Sequence, residues 1–200
     1  MNSKTKRLTT GAALVALSAI LSIITFYRLP YGGSITAVSM LPVCVYAHKH
    51  GLKWGLLGGL AFGITQLLFG ASSAAFAGMT AGAFILMAFL DYILAYACMG
   101  LTALGKGRFG LGLGILIAAG ARLLAHALSG YILFRQYAEW FFSQDGFAFG
   151  EWVLSNMGGQ TLAVFYSFFY NASFLVPETI LTVIAAAAVT PALKKIGNRF

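Results

Sequence analysis

Ionisable side chains inside long apolar stretches are the residues of this sequence with the clearest potential for chemistry. Asp91, Arg122 and Glu178 each lie within such a stretch, and His126 follows Arg122 by four residues. Side chains four residues apart share one face of a helix, so Arg122 and His126 can reach the same ligand. A charge within an apolar span is costly and usually faces a partner or a cavity, so Asp91, Arg122 and His126 predict a functional site.

The last apolar stretch contains a second set of polar residues. Tyr166 and Tyr170 lie one helical turn apart and Asn171 follows directly, so polar groups from three helices can converge. More groups are present than one ion pair needs, which favours ligand binding over a purely structural role. The structural alternatives remain open at this point: an Asp91–Arg122 ion pair, and ordinary packing of the two tyrosines.

Glu178 has further interpretations because it directly follows Pro177. Its carboxylate can satisfy backbone groups that a proline kink frees, or it can lie near a cytoplasmic helix end. Each of these two structural roles is an alternative to a place for Glu178 in the predicted ligand site.

An intramembrane hydrolase is the alternative from another functional class. It needs a serine and a histidine inside the bundle, and Ser72, Ser73 and Ser129 are the candidates for pairing with His126. No GxSx elbow opens a helix in this sequence, so catalysis is disfavoured. The sequence also has no P-loop or GxGxxG phosphate cradle, which favours a binding subunit that depends on a powered partner.

Composition indicates which elements hold these residues. Hydrophobic residues make up 60% of the 200 positions and charged residues 9%, and the mean hydropathy is +0.84. Soluble domains carry about 45–50% apolar and about 25% charged residues. We therefore predict an all-α membrane protein with a single integral membrane domain over 1–200. Its apolar runs predict about six transmembrane helices: 8–27, 34–48, 52–70, 79–103, 110–134 and 160–192.

Charge placement predicts the orientation of this bundle. The loops on one side hold ten of the thirteen basic residues, and the opposite side holds only Arg28 and Arg135. The positive-inside rule then puts both termini in the cytoplasm and the 135–158 loop outside a prokaryotic plasma membrane. Aromatic residues of that loop suit a helix at the membrane interface that is either an anchor or a ligand lid: Trp140, Phe141, Phe142 and Trp152.

Nucleic acid and metal are not predicted as partners. The net charge is +8, but no run alternates basic and aromatic residues on a polar face. Cys44 and Cys98 lie inside apolar segments without a CxxC pattern or a histidine-rich neighbourhood, so we interpret them as buried thiols.

Five short stretches follow one another in a fairly specific order. They are 29–36 (LPYGGSIT), 39–42 (SMLP), 90–92 (LDY), 122–130 (RLLAHALSG) and 166–171 (YSFFYN), the last followed by Pro177 and Glu178. With these stretches the chain resembles, over essentially its whole length, the thiamine-specific substrate-binding (S) component of energy-coupling factor transporters.

The resemblance implies roles for particular residues. Seven side chains of the fourth, fifth and sixth predicted helices would contact the vitamin: Asp91, Tyr92, Arg122, His126, Phe134, Tyr166 and Asn171. Gly32, Gly33 and Ser34 would belong to a lid in the first external loop. Ala12 and Ala16 fit an Ala-x-x-x-Ala face that would dock on the membrane coupling subunit.

The resemblance also implies a function without catalysis or a cofactor. The chain would capture thiamine, or a similar small cationic vitamin, from outside. A membrane coupling subunit and two ATP-hydrolysing subunits would then drive its release inward. Similar proteins often have Glu, Lys and Trp where this sequence has Asp91, Arg122 and Phe134. The first alternative is therefore the same scaffold carrying another small vitamin or precursor.

Overall fold

The helices of the chain pack as a bundle in a computed structural model, which describes residues 3–29, 32–70, 78–107 and 109–196. These residues form seven helices and one β-hairpin. In chain order they are α1 (Ser3–Ile23), β1 (Thr25–Arg28), β2 (Ser34–Thr36), α2 (Leu41–His50), α3 (Leu52–Gly70), α4 (Ala81–Leu104), α5 (Gly110–Phe142), α6 (Ala148–Asn156) and α7 (Gly159–Ile196).

Five of the described helices, α1, α3, α4, α5 and α7, are long and apolar enough to cross a membrane. The sixth apolar element is α2, whose first seven residues are all buried although it is only ten residues long. The predicted all-α membrane bundle of about six helices is therefore confirmed. The β-hairpin is an addition that apolar patterning did not predict.

The predicted second span, 34–48, differs from the structure. Ser34–Thr36 pairs with β1 as an antiparallel strand, and α2 begins only at Leu41. Between them Val38 adopts a left-handed backbone with φ 53°, which regular strands and helices exclude. Pro42 then lies in the first turn of α2, where an amide donor is not needed. The apolar run is thus divided between a strand and a short helix.

The predicted external loop, 135–158, is largely helical. Its first residues continue α5 to Phe142, and a turn at Gly146, with φ 76°, leads into α6. Phe142 is fully buried, whereas Trp140 and Trp152 are about half exposed. The segment therefore packs some aromatic rings against the bundle and turns its tryptophans outward.

Helices α3 and α4 pack backbone against backbone along a line of glycines. A Cβ added at Gly59 would lie 2.2 Å from the carbonyl oxygen of Tyr96, and one at Gly63 would lie 2.1 Å from that of Tyr92. Both distances are far inside van der Waals contact, so only glycine permits this approach. The contact fixes the part of α4 that carries Asp91.

Candidate functional site

A cavity of about 850 Å³ opens among α1, the hairpin, α3, α4, α5 and α7. All seven side chains that the resemblance assigned to vitamin binding line this cavity: Asp91, Tyr92, Arg122, His126, Phe134, Tyr166 and Asn171. The three predicted lid residues, Gly32, Gly33 and Ser34, line it as well. The structure therefore brings together residues that lie up to about 140 positions apart in the sequence, and their roles in binding the vitamin stay a prediction.

Two π-helical segments present residues to this cavity. Ala88–Leu94 within α4 carries Asp91 and Tyr92, and Gly130–Phe134 within α5 ends at Phe134. A π segment inserts an extra residue per turn and is common at functional sites, because it turns side chains away from the regular helical face. In α5 the segment begins at Gly130, where an added Cβ would lie 3.2 Å from Ser167.

Asp91 is held by two donors from α5. His126 Nδ1 lies 2.8 Å from Asp91 Oδ1, and Ser129 Oγ donates to Asp91 Oδ2. Arg122 Nε donates to His126 Nε2 over 3.2 Å. Because arginine can only donate, His126 Nε2 must be the acceptor, and the proton of a neutral ring is then on Nδ1, which donates to Asp91. The result is a hydrogen-bonded chain from Arg122 through His126 to Asp91.

The alternative of a direct Asp91–Arg122 ion pair is not what the structure contains, because His126 lies between the two charges. Arg122 is buried, and its guanidinium carbon lies 4.3 Å from the centre of the Tyr96 ring. Such a cation–π contact stabilises a buried arginine without neutralising it. A carboxylate oxygen has more than one lone pair, so Asp91 keeps acceptor capacity toward the cavity.

Helix α7 contributes Tyr166 and Asn171 to the cavity wall. Both are buried, and Asn171 Nδ2 donates to the carbonyl oxygens of His126 and Ser167. These two bonds fix the amide of Asn171 and leave its Oδ1 for another donor. Tyr166 is also in ring contact with Phe141, at 5.5 Å between centroids.

The hairpin between α1 and α2 covers one part of the cavity. Gly32 and Gly33 have φ values of 102° and 85°, which only glycine adopts without strain, so they permit the tight turn between the strands. Tyr170 Oη donates to the carbonyl oxygen of Gly32 over 2.7 Å. The predicted lid residues are therefore held down by a side chain of α7.

Glu178 lies in the interior of α7 and faces the cavity, away from either helix end. Its carboxylate accepts hydrogen bonds from the amide and the hydroxyl of Thr36, the last residue of β2. Neither of the two structural interpretations drawn from Pro177 applies, because the partner is in the hairpin.

The segment 135–158 provides none of the cavity lining among the described residues. Of the two roles considered for it, the structure favours the interface anchor. Phe141 packs against Tyr170 at 5.5 Å between ring centroids, which ties the segment to α7 behind the cavity wall.

Ala12 and Ala16 lie on an exposed face of α1, away from the cavity. Leu17 and Ile20 beside them are also exposed, so this face is available to lipid or to another membrane protein. Their role in docking stays a prediction.

Sequence reasoning missed several residues of the cavity. Tyr96, Phe174 and Thr36 line it, as do Ser22 and Gln66, whose side chains are joined by a 2.8 Å hydrogen bond. One signal was available: Tyr166, Tyr170, Phe174 and Glu178 recur every four residues, which places them on one helix face. No such spacing marks Thr36, Ser22 or Gln66.

The serine–histidine geometry of a hydrolase is not found in the part of the chain that the structure describes. Ser129 donates to Asp91 and not to His126, so the serine is not paired with the histidine base that this alternative requires. Ser72 and Ser73 lie outside the described residues. Within those residues there is also no group of three or more histidine, cysteine or acidic side chains that can hold a metal ion.

Comparisons with known proteins agree with this architecture. Residues 8–143 match the model of a family described as thiamine transporter protein. The thiamine transporter ThiT of Bacillus subtilis (strain 168) is 26% identical over 194 residues, which cover 89% of this chain and 86% of the relative. A solved structure of ThiT from Listeria monocytogenes superposes with a TM-score of 0.71 at 17% identity, covering 97% of this chain and 98% of the other. At that identity the superposition establishes a shared fold.

Proposed function

This chain belongs to the thiamine transporter protein family, because the family model covers more than half of it, and we propose that it is the substrate-capture subunit of a thiamine uptake system. It is a multi-pass protein of the cell membrane and a transporter component, not an enzyme. In the proposed function it binds thiamine from the outside. Partner subunits that hydrolyse ATP supply the energy for translocation.

One observation carries the proposal. The seven side chains that the resemblance assigns to the vitamin come from three helices, and all of them border the same cavity. Its volume of about 850 Å³ is in the range of small-molecule sites, about 300–1,000 Å³. Unrelated packing would have no reason to gather these polar and aromatic groups around one opening.

The charges of the cavity support a cationic ligand. Two carboxylates, Asp91 and Glu178, and one guanidinium, Arg122, line its inner part, and Arg28 is exposed at the hairpin. Among the described lining residues that are not exposed, the carboxylates therefore outnumber the guanidinium groups by one. The thiazolium ring of thiamine supplies a permanent positive charge, and the aromatic faces of Tyr92 and Phe134 attract such a cation.

The remaining polar groups suit the aminopyrimidine ring of thiamine. Asp91 can accept a charge-assisted hydrogen bond from the amino group of that ring, while Asn171 Oδ1 can accept one from a donor on its other polar edge. A ligand without matching donors would leave several buried groups unpaired, each at a cost of about 1–3 kcal/mol. Selectivity then follows from hydrogen-bond satisfaction without any chemical step.

The proposed translocation partners are a membrane coupling subunit and two ATP-hydrolysing subunits. Support comes from the exposed face of α1, where Ala12 and Ala16 lie one turn apart and offer little side-chain volume. Small residues permit close helix–helix approach in a membrane, where apolar burial does not drive association.

Mass spectrometry of the small molecule released by denaturing the purified protein tests the ligand assignment. We expect thiamine to be recovered in near-equal amount to protein from cells grown with the vitamin, and to be absent from vitamin-starved preparations. Recovery of a different vitamin or precursor would support substrate capture by this scaffold but would assign it another substrate. A protein that never retains thiamine and fails to bind it when it is added would refute the proposed function.

A further inference from the structure

Three helix ends that the positive-inside rule places at the cytoplasmic surface meet around one buried side chain, Tyr46 of α2. A Cβ added at Gly11 on α1 would lie 2.7 Å from the Tyr46 hydroxyl oxygen, and one at Gly58 on α3 would lie 2.8 Å from the Tyr46 ring. The Tyr46 hydroxyl also donates to the carbonyl oxygen of Arg7 over 3.2 Å. The two glycines therefore let α1 and α3 close on Tyr46, and Arg7 is held beside the last turn of α2.

Basic residues of α1 and α2 lie next to this junction. Arg7 is exposed and precedes Gly11 by four residues, so both lie on the face of α1 that meets Tyr46. On α2, Lys49 and His50 follow Tyr46 by three and four residues, and the ring centres of His50 and Tyr46 are 5.0 Å apart. The junction therefore carries the charges of a guanidinium and an ammonium group from two neighbouring helices.

The acidic side chains of the sequence all lie away from this junction. Asp91 and Glu178 line the cavity, and the other three belong to the segment 135–158: Glu139, Asp145 and Glu151. No carboxylate side chain of the protein therefore neutralises the basic groups beside Tyr46. An anion from outside the chain has to supply the opposite charge.

The surroundings of the junction favour a phospholipid over an acidic protein segment. The junction lies at the ends of membrane-spanning helices, where the headgroups of one leaflet are found. Leu8, directly after Arg7, is 54% exposed, and further exposed leucine and isoleucine side chains follow along α1. A lipid supplies a phosphate for the cations and acyl chains for this apolar surface, whereas an acidic protein segment supplies only the charge. Basic pockets between transmembrane helices at the cytoplasmic side are suited to anionic headgroups.

We propose that the junction of α1 and α2 at Tyr46 binds an anionic phospholipid of the cytoplasmic leaflet, whose phosphate is held by Arg7 and Lys49. A guanidinium donates to phosphate oxygens through two N–H groups, and the ammonium adds a point charge. In α1 only Gly11 and Ser18 are buried, so this helix has little packing of its own with the bundle. A phosphate bound by residues of both helices ties the first turns of α1 to α2.

The first test measures lipid binding to the full chain, purified in a nonionic detergent and stripped of lipid. We expect native mass spectrometry to detect bound phosphatidylglycerol, and much less phosphatidylcholine with the same acyl chains. Arg7→Gln/Lys49→Gln should weaken phosphatidylglycerol binding by about tenfold or more, because both cations that hold the phosphate are lost. The matched control, Lys194→Gln/Lys195→Gln, removes two exposed charges from the last turn of α7 and should bind the lipid as the wild type does.

The second test measures the melting temperature of the same preparations. A ligand that binds only the folded state stabilises it, so phosphatidylglycerol should raise the melting temperature of the wild type and of the α7 control. It should have little effect on Arg7→Gln/Lys49→Gln. Arg7→Lys/Lys49→Arg keeps both charges and should retain the increase. If the glutamine pair does not fold, the single variant Arg7→Gln, at an exposed position, should show weaker lipid binding in its place.

Three results would overturn the proposal. Equal binding of the two lipids by the wild type, or an equal loss in the α7 control, would show only a general attraction between basic residues and anionic lipid. Normal phosphatidylglycerol binding by the Arg7 and Lys49 variant, with reduced thiamine uptake by cells, would assign these charges to a protein partner. Because the lipid measurements use no vitamin, failure of the wild type to bind thiamine would refute the proposed function alone.

Discussion

His126 lies between Arg122 and Asp91 and bonds both: its Nε2 accepts from Arg122 Nε over 3.2 Å, and its Nδ1 lies 2.8 Å from Asp91 Oδ1. The imidazole therefore separates two opposite charges that are close enough in the fold to interact. It also fixes the position of the carboxylate that faces the cavity. A chain of this kind orients Asp91 for a ligand, which a direct ion pair would not do.

We expect His126→Ala to weaken thiamine binding by about tenfold or more, because Asp91 loses a donor that orients it and the cavity loses part of its wall. Calorimetric titration of the purified variant measures the change. Asn156→Ala, at an exposed position on α6, serves as the control and should bind normally. Wild-type affinity in His126→Ala, together with a lower melting temperature, would assign His126 to the scaffold.

The glycine contact between α3 and α4 gives a prediction about folding and binding together. In Gly63→Ala the new methyl group would meet the carbonyl of Tyr92, so the helices must separate. Overpacking of this kind typically costs about 1–3 kcal/mol, and the displaced π segment should lower thiamine affinity as well.

Melting temperature and calorimetry on the same preparations measure both effects. Gly82→Ala is the matched control, since an added Cβ at Gly82 meets nothing within 4 Å. Equal behaviour of the two variants would show that the close approach at Gly63 does not position the site.

The sequence predicted the bundle and the cavity residues for different reasons. Apolar run length is a direct consequence of bilayer thickness, so the long helices α3, α4 and α7 were found within a few residues. The cavity residues were identified by the cost of burying charge and by the resemblance. Those criteria single out Asp91 and Arg122, but they give no information on which partner each one bonds.

The features of the fold and the site that the sequence did not predict depend on tertiary contacts, which leave no local signal. The bonds from Thr36 to Glu178 span 142 positions, and nothing in the stretch 34–36 distinguishes a strand from the start of an apolar helix. The π segment around Asp91 likewise has the apolar periodicity of an ordinary helix. Long-range pairing of this kind is visible only once the helices are packed.

The exposed face of α1 predicts a separation of binding from transport. Replacing both Ala12 and Ala16 with tryptophan should abolish thiamine uptake by cells while leaving binding by the isolated protein nearly unchanged, because the bulk blocks close helix approach. Radiolabelled uptake and calorimetry measure the two properties.

A matched pair on another exposed face controls for bulk in the membrane. Ile180 and Ile184 also lie one turn apart, on α7, and are more than half exposed. Tryptophan at both should permit uptake. If binding fell together with uptake in the α1 variant, the alanines would be part of internal packing.

The orientation of the bundle is a further prediction. With Cys44 and Cys98 replaced, a single cysteine at the exposed position Gln144 should react with an impermeant thiol reagent added to intact cells, and one at the exposed position Lys106 should not. Permeabilised cells provide the control, since both should then react. Labelling of Lys106 but not Gln144 in intact cells would reverse the topology.

Asp91 is the residue on which the account of ligand capture depends most. Asp91→Asn keeps the shape of the side chain and removes its charge, so the charge-assisted bond from thiamine to the carboxylate is lost. That loss is about 1.5–3 kcal/mol, or roughly a factor of ten to a hundred and fifty in affinity. Asp145→Asn, in the exposed turn before α6, is the matched control and should have no effect.

The most direct test is calorimetric titration of thiamine into purified Asp91→Asn, with the melting temperature of the same ligand-free preparation. Ligand binding by Asp91 predicts an affinity lower by that factor and a melting temperature close to that of the wild type. Wild-type affinity with a large fall in melting temperature would contradict it, because Asp91 would then serve only to hold α4 against α5 through His126 and Ser129.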